Sequence, residues 1–232
     1  MLGRPPPASF FRRPALELAP DLLGLILWRD AREGATAARI VEVEAYRGPD
    51  DRAAHSAGGR RTARTEIMYA RGGVAYVYFV YGMHYCVNVV AANVDEPQAV
   101  LVRAAEPLVG IELMRRRRRT PVALAALARG PGNLARALAI ERELNGVDLR
   151  TGALRLLVPR GARAGATVAA RAIARSPRIG VTYAGAWAER PWRFFIRDHP
   201  SVSRAPAARA SASGPSARSA RRSPLPGRSS PR

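Results

Sequence analysis

The chain is predicted to fold as one α+β domain: a single mixed unit with a curved, mainly antiparallel β-sheet, surrounding helices and a protruding β-hairpin. Three observations predict it. Runs rich in β-branched and aromatic residues recur at Ala37–Tyr46, at 74–91 and at Gln98–Ala105, a composition that favours strands. The middle run turns back on itself at Tyr81-Gly82-Met83-His84, which pairs its two halves antiparallel. The 232 residues suffice for one ordinary core.

The elements follow in order. Residues 1–13 are a Pro/Arg-rich segment, expected to be a flexible leader. Residues 14–28 predict a short amphipathic helix running into the apolar strand Leu23–Trp28, and a turn at Arg29–Gly34 leads to the strand Ala37–Tyr46. Residues 47–73 have little periodicity, and a loop of that length in a small domain is usually functional or disordered. After the hairpin and the strand Gln98–Ala105, Pro107 suits a first helical position and predicts a helix to about Arg119. Ala123–Ala128 and Leu134–Ile140 read as helices, the latter opened by Gly130-Pro131-Gly132. Strands are expected at Leu154–Val158, Thr167–Ala174 and Trp192–Ile196. The domain therefore spans 14–200. Residues 201–232, with nine Ser, five Pro and seven Arg, are expected to form a disordered tail.

Charge narrows the function. The net charge is +20 and the pI about 11.6, the electrostatic footprint of a nucleic-acid binder. The tail supplies only seven of those charges, so the body is basic in its own right. All 38 basic residues are arginine, so no side chain can form a Schiff base with a sugar aldehyde. A single cysteine, Cys86, excludes an intrachain disulfide, and three scattered histidines make a structural zinc site improbable. No cofactor is called for. Residues 74–94 carry no formal charge and are long enough to cross a bilayer. Gly82, His84, Asn88 and Asn93 interrupt them, and their composition favours strands, so no membrane partner is expected. The N-terminus has no apolar signal region, and a cytoplasmic, nucleoid-associated protein is expected.

The chemistry-bearing residues cluster in two places. On the strand Arg39–Tyr46, period two puts Glu42, Glu44 and Tyr46 on one face. A carboxylate in an aromatic, desolvated setting has a raised pKa and suits a general base; Glu44 and Glu42 both qualify. Arg103, inside an apolar strand, is the best ion-pair partner, because buried arginines are rarely unpaired. Tyr46 and Tyr78 offer flat faces on which a base can stack. Tyr81 sits at the hairpin turn, where an exposed aromatic can wedge into a base stack. His55 and Asn88 complete the candidate pocket. An acid/base group, stacking surfaces and a wedge are the parts needed to extract and cleave a nucleobase.

Six ordered segments carry a resemblance: Arg39–Pro49, Ala53–Gly59, Tyr76–Asn88, Leu101–Pro107, Gly130–Ile140 and Arg178–Phe195. In order and approximate spacing they resemble the alkyladenine (3-methyladenine) DNA glycosylase family, from about residue 9 to about residue 204. The resemblance implies that Glu44 activates a water and that Arg103 helps position it. It implies that Tyr46, His55 and Tyr78 surround an extrahelical base, with the His55 backbone amide on the base edge. It implies that Tyr81 intercalates where the nucleotide has left and that Asn88 clashes with the 2-amino group of guanine. The expected partner is double-stranded DNA containing damaged purines, bound by a monomer, and the expected reaction is hydrolysis without strand nicking. Electron-rich tyrosine faces would favour cationic 3-methyladenine and 7-methylguanine. Asn133 stands where relatives often carry a basic residue, and Glu66 is an unexpected acid. A non-catalytic basic module recognising distorted DNA, and a hydrolase or transferase of small acyl or formyl substrates, are the other readings left open.

Overall fold

A computed structural model describes residues 2–204. Nine strands form one open sheet, and every pairing in it is antiparallel. β1 (Gly3–Arg4), β2 (Ile26–Ala31) and β3 (Gly34–Tyr46) come first, with α1 (Ala15–Leu22) between β1 and β2. The hairpin is β4 (Ala75–Val80) and β5 (His84–Ala91), followed by β6 (Gln98–Val109), α2 (Ile111–Arg118) and α3 (Pro131–Ala137). β7 (Leu154–Pro159), β8 (Ile173–Ser176) and β9 (Arg193–Ile196) complete the order. The path across the sheet is β1-β7-β2-β3-β6-β5-β4, with β9 also paired to β3 and β8 paired to β9. No helix among the described residues is long and apolar enough to cross a membrane.

β3 and β6 form the spine, and their register is broken three times, once at Ala37/Ala38 and twice around Glu42. Ile40 pairs with Ala105, Glu42 with Ala104 and Val43 with Val102, so Val41 and Arg103 are each an extra, unpaired residue. A β-bulge bends a strand and reverses its alternation beyond that point. The reversal lets both Ile40 and Val43, and both Val102 and Ala105, enter the main core. It leaves Glu42 and Glu44 on the opposite face, aimed at Arg103. Helix α1 packs on the other side through Ala15, Leu18, Ala19 and Leu22, spaced to give one apolar stripe.

Several expectations are corrected. The leader is part of the fold over residues 3–11: β1 pairs with β7, and Phe10 and Phe11 are buried in the main core. Pro/Arg composition hid the two aromatics that tie the segment down. Pro107 does not start a helix. β6 runs on to Val109, and the helix begins only at Ile111. β5 leaves β6 after Leu101, so Pro107 pairs with Ala38 on one side only and its missing N–H costs no ladder bond. Leu124–Ala126 is a single 3-10 turn, and the strand expected from Thr167 begins at Ile173 after another such turn. The expected tail boundary at 201 also shifts. Ser201 is buried, and the Ser203 amide donates to Glu42 at 2.7 Å. The rest of the expected tail, 205–232, lies outside the described residues.

Candidate active site

A cavity of about 400 Å³ opens between the hairpin, β3, β6 and the segment Ile179–Tyr183. Tyr46, His55, Tyr78, Tyr81, Asn88 and Arg103 all line it. Glu44 lies directly beneath, fully buried. Its Oε2 accepts hydrogen bonds from Tyr46 Oη at 3.0 Å and Arg103 Nη1 at 3.3 Å, and its Oε1 accepts the Ile179 amide at 2.7 Å. All three donors line the cavity. Burial raises the Glu44 pKa, while Arg103, the Ile179 amide and Tyr46 pull it back down. The buried carboxylate is thus a stronger base than a surface one.

Glu42 is held differently. Its Oε1 accepts from Arg103 Nε at 3.1 Å and Arg193 Nε at 2.7 Å, and its Oε2 takes the Ser203 amide. Of these partners only Arg103 reaches the cavity. Glu42 neutralises two buried arginines and ties the last described residues to the sheet. The choice between the two glutamates, open in the residue pattern and given to Glu44 only by the resemblance, is weighted the same way by these partners.

The hairpin supplies the opposite wall. On β4 the alternation sends Tyr76, Tyr78 and Val80 into the cavity, and on β5 it sends Cys86 and Asn88. His55 meets Tyr78 edge to face at 4.6 Å between ring centroids, and its Nδ1 lies 2.8 Å from Tyr76 Oη. Burial and the nearby Arg64 and Arg60 lower the His55 pKa to about 4, so the ring is neutral at physiological pH. Asn88 Nδ2 donates to the Tyr76 carbonyl at 3.0 Å, which fixes the amide plane at the cavity wall. At the tip, Tyr81 is 81% exposed and holds a positive φ of 53°. A left-handed backbone at a bulky residue costs roughly 1–3 kcal/mol and points to a functional constraint. Met83 beside it is also exposed.

Two contributors carried no assignment in the sequence. Arg178 and Asp51, both fully buried at their side chains, form a two-pronged ion pair at 2.5 and 2.9 Å. Arg178 also donates to the Ala45 carbonyl and lies 4.7 Å from the Tyr46 ring centroid, so it anchors β3 just beyond Glu44. Tyr183 lines the cavity mouth and is largely exposed. Both residues follow from nothing local in the sequence, since their partners lie more than a hundred positions away. The five arginines 115–119 are split in purpose. Arg115 and Arg117 pair with Glu112 and Glu33, and Arg118 donates to Asn133. Arg116, Arg117, Arg119 and Arg136 line a groove beside Met83 and His84. Glu66 is engaged by Arg61.

The sequence profile of methylpurine-DNA glycosylases matches residues 9–200. The chain belongs to the methylpurine-DNA glycosylase family. Relatives agree in name and in extent. A protein of Desulfitobacterium hafniense strain Y51 is 43% identical over 209 residues, covering 87% of this chain and 98% of its own. One from Bacillus cereus strain AH820 is 45% identical over 204 residues, covering 85% and 98%. One from Natranaerobius thermophilus is 41% identical over 196 residues, covering 84% and 96%. Each bears the name "Putative 3-methyladenine DNA glycosylase". The match to the methylpurine-DNA glycosylase family spans every residue that lines the cavity, from Tyr46 to Tyr183.

Proposed function

We propose that this protein is a monofunctional DNA glycosylase. It extrudes alkylated or otherwise damaged purines from duplex DNA, among them 3-methyladenine, 7-methylguanine, hypoxanthine and ethenoadenine, and hydrolyses the N-glycosidic bond. The observation that carries this reading is a buried glutamate of raised pKa, Glu44, bonded only to groups that line an aromatic cavity beneath an exposed hairpin-tip tyrosine. Arginine–phosphate contacts hold the duplex, so affinity falls steeply with salt. Tyr81 enters the stack as the purine rotates out, at a cost of a few kcal/mol that is least for a base that pairs badly. Tyr46, His55 and Tyr78 surround the base. Asn88 stands at the wall as a steric check on guanine's 2-amino group. Glu44, with Arg103 steadying both carboxylate and water, takes a proton from the water as its oxygen bonds C1′ and the C1′–N bond breaks; a cationic purine departs neutral, whereas hypoxanthine or ethenoadenine takes up a proton as it leaves. With no lysine in the chain, the product is an intact abasic strand.

The test is base release from duplexes carrying one hypoxanthine or ethenoadenine and from randomly methylated DNA, with hot alkali to reveal abasic sites. Release that needs alkali for strand scission supports the reading. Tight DNA binding with no release would favour a non-catalytic module. Tyr81→Ala is expected to slow release by roughly five- to a hundredfold, from the ~1–3 kcal/mol of one aromatic–base stack. Wild-type turnover in that variant would remove the wedge from the mechanism.

A further inference from the structure

Both tyrosine walls of the cavity have an arginine over the ring. Arg178 Cζ lies 4.7 Å from the Tyr46 centroid and Arg64 Cζ 5.1 Å from the Tyr78 centroid. Neither arginine lines the base cavity, whereas both tyrosines do. Arg64 and Tyr78 together line a separate groove with Phe79, Tyr85 and Arg142. Arg64 also lines a second groove with His55 and Tyr183 and sits close to the Tyr76 hydroxyl, so its guanidinium lies outside the cavity lining but against the wall that Tyr78, Tyr76 and His55 form.

The two arginines differ in what neutralises them. Arg178 is locked to Asp51. Arg64 is exposed, and no carboxylate among the described residues lies within ion-pair distance of it. A ring attracts cations through the negative potential of its faces. A cation on one face draws that density toward itself, and its field reaches a second cation on the other face through a thin, poorly screening layer. The cavity's other charges do not cancel it, because Arg103 and Arg193 are balanced against Glu42 and Glu44. Arg64 also faces His55 across a shared groove, where burial and then Arg64 lower the His55 pKa.

Resting on the glycosylase reading, we infer that Arg64 is a specificity-determining residue: its guanidinium beside Tyr78, Tyr76 and His55 weights the pocket against cationic purines and toward neutral ones. This reverses the preference that bare tyrosine faces would confer. Arg64 acts through Tyr78 and touches no reacting atom.

The experiment compares wild type, Arg64→Met and Arg64→Lys in single-turnover release of 7-methylguanine, which is cationic, and hypoxanthine, which is neutral, from otherwise identical duplexes. Methionine keeps an unbranched stem of the side chain and removes its charge. The ratio of 7-methylguanine to hypoxanthine release is expected to rise roughly two- to fivefold in Arg64→Met, the scale of one exposed cation–π contact. Arg64→Lys, which keeps the charge, is expected to stay near the wild-type ratio. An unchanged ratio in Arg64→Met, with both rates lowered together, would overturn the inference and make Arg64 a phosphate contact. An equal rise in Arg64→Lys would also overturn it, because shape rather than charge would then decide. Release of neither base by wild type would sink the glycosylase reading itself, an outcome distinct from either of these.

Discussion

Glu44→Gln is expected to lower base release by roughly a hundred- to ten-thousandfold, the usual contribution of a positioned acid/base group. The measurement is single-turnover release under saturating enzyme, run beside wild type on the same duplex. Glutamine keeps one oxygen, which can still accept from Tyr46 and Arg103, while its NH2 then faces the Ile179 amide, so circular dichroism is recorded beside the rate to show that the variant is folded. Burial raises the Glu44 pKa in the folded chain, so ionised Glu44 weakens the fold above its unfolded pKa, and protonation through the raised value relieves that cost. Removing the charge relieves that cost at neutral pH, while the broken Arg103 ion pair and the Ile179 amide left without its acceptor act against it. The same shift sets the pH profile. The base works only as a carboxylate, so the wild-type rate falls as pH drops through the raised pKa, and the acid limb lies above the ordinary value of 4.5. A Glu44→Gln enzyme with wild-type release, or a limb at or below that ordinary value, would remove Glu44 from the base's role.

Glu42→Ala is expected to act on stability instead. It strips the shared acceptor from Arg103 and Arg193, which are 7% and 4% exposed, and from the Ser203 amide. Breaking a buried ion pair by removing one partner costs about 3–5 kcal/mol, because the other charge is left uncompensated. For a domain of this size each kcal/mol lowers Tm by roughly 2–4 °C, so a drop on the order of 10 °C should appear in thermal unfolding followed by circular dichroism. Glu42→Gln retains one acceptor and should fall between. A variant as stable as wild type would mean that water reaches these arginines. The contrast between adjacent glutamates, one decisive for rate and one for stability, tests the division of labour drawn from their partners.

Much of the fold was legible because its signals are local. The hairpin announces itself by uncharged β-branched and aromatic runs around Tyr81-Gly82, and β3 by its alternation from Glu42 to Tyr46. Six ordered segments pointed to the family that the profile match then established. The first eleven residues were misjudged, since two phenylalanines outweigh three prolines once a core is there to receive them. Pro107 was misjudged because whether a proline ends a strand depends on which edge is free, and that is a fact about β5.

The sequence by itself pointed to a nucleic-acid partner, through its net charge of +20, and to the pair of strands that carry the candidate chemistry. Those are properties of composition and of side chains two apart. Tertiary structure alone decided which glutamate sits under the cavity. The two bulges at Val41 and Arg103 turn the carboxylates away from the core and aim one arginine at both. It also brought Arg178 to Asp51 across 127 positions and set Arg64 beside Tyr78. A bulge or a long-range ion pair gains its energy only when distant strands have already met, so no local pattern records it.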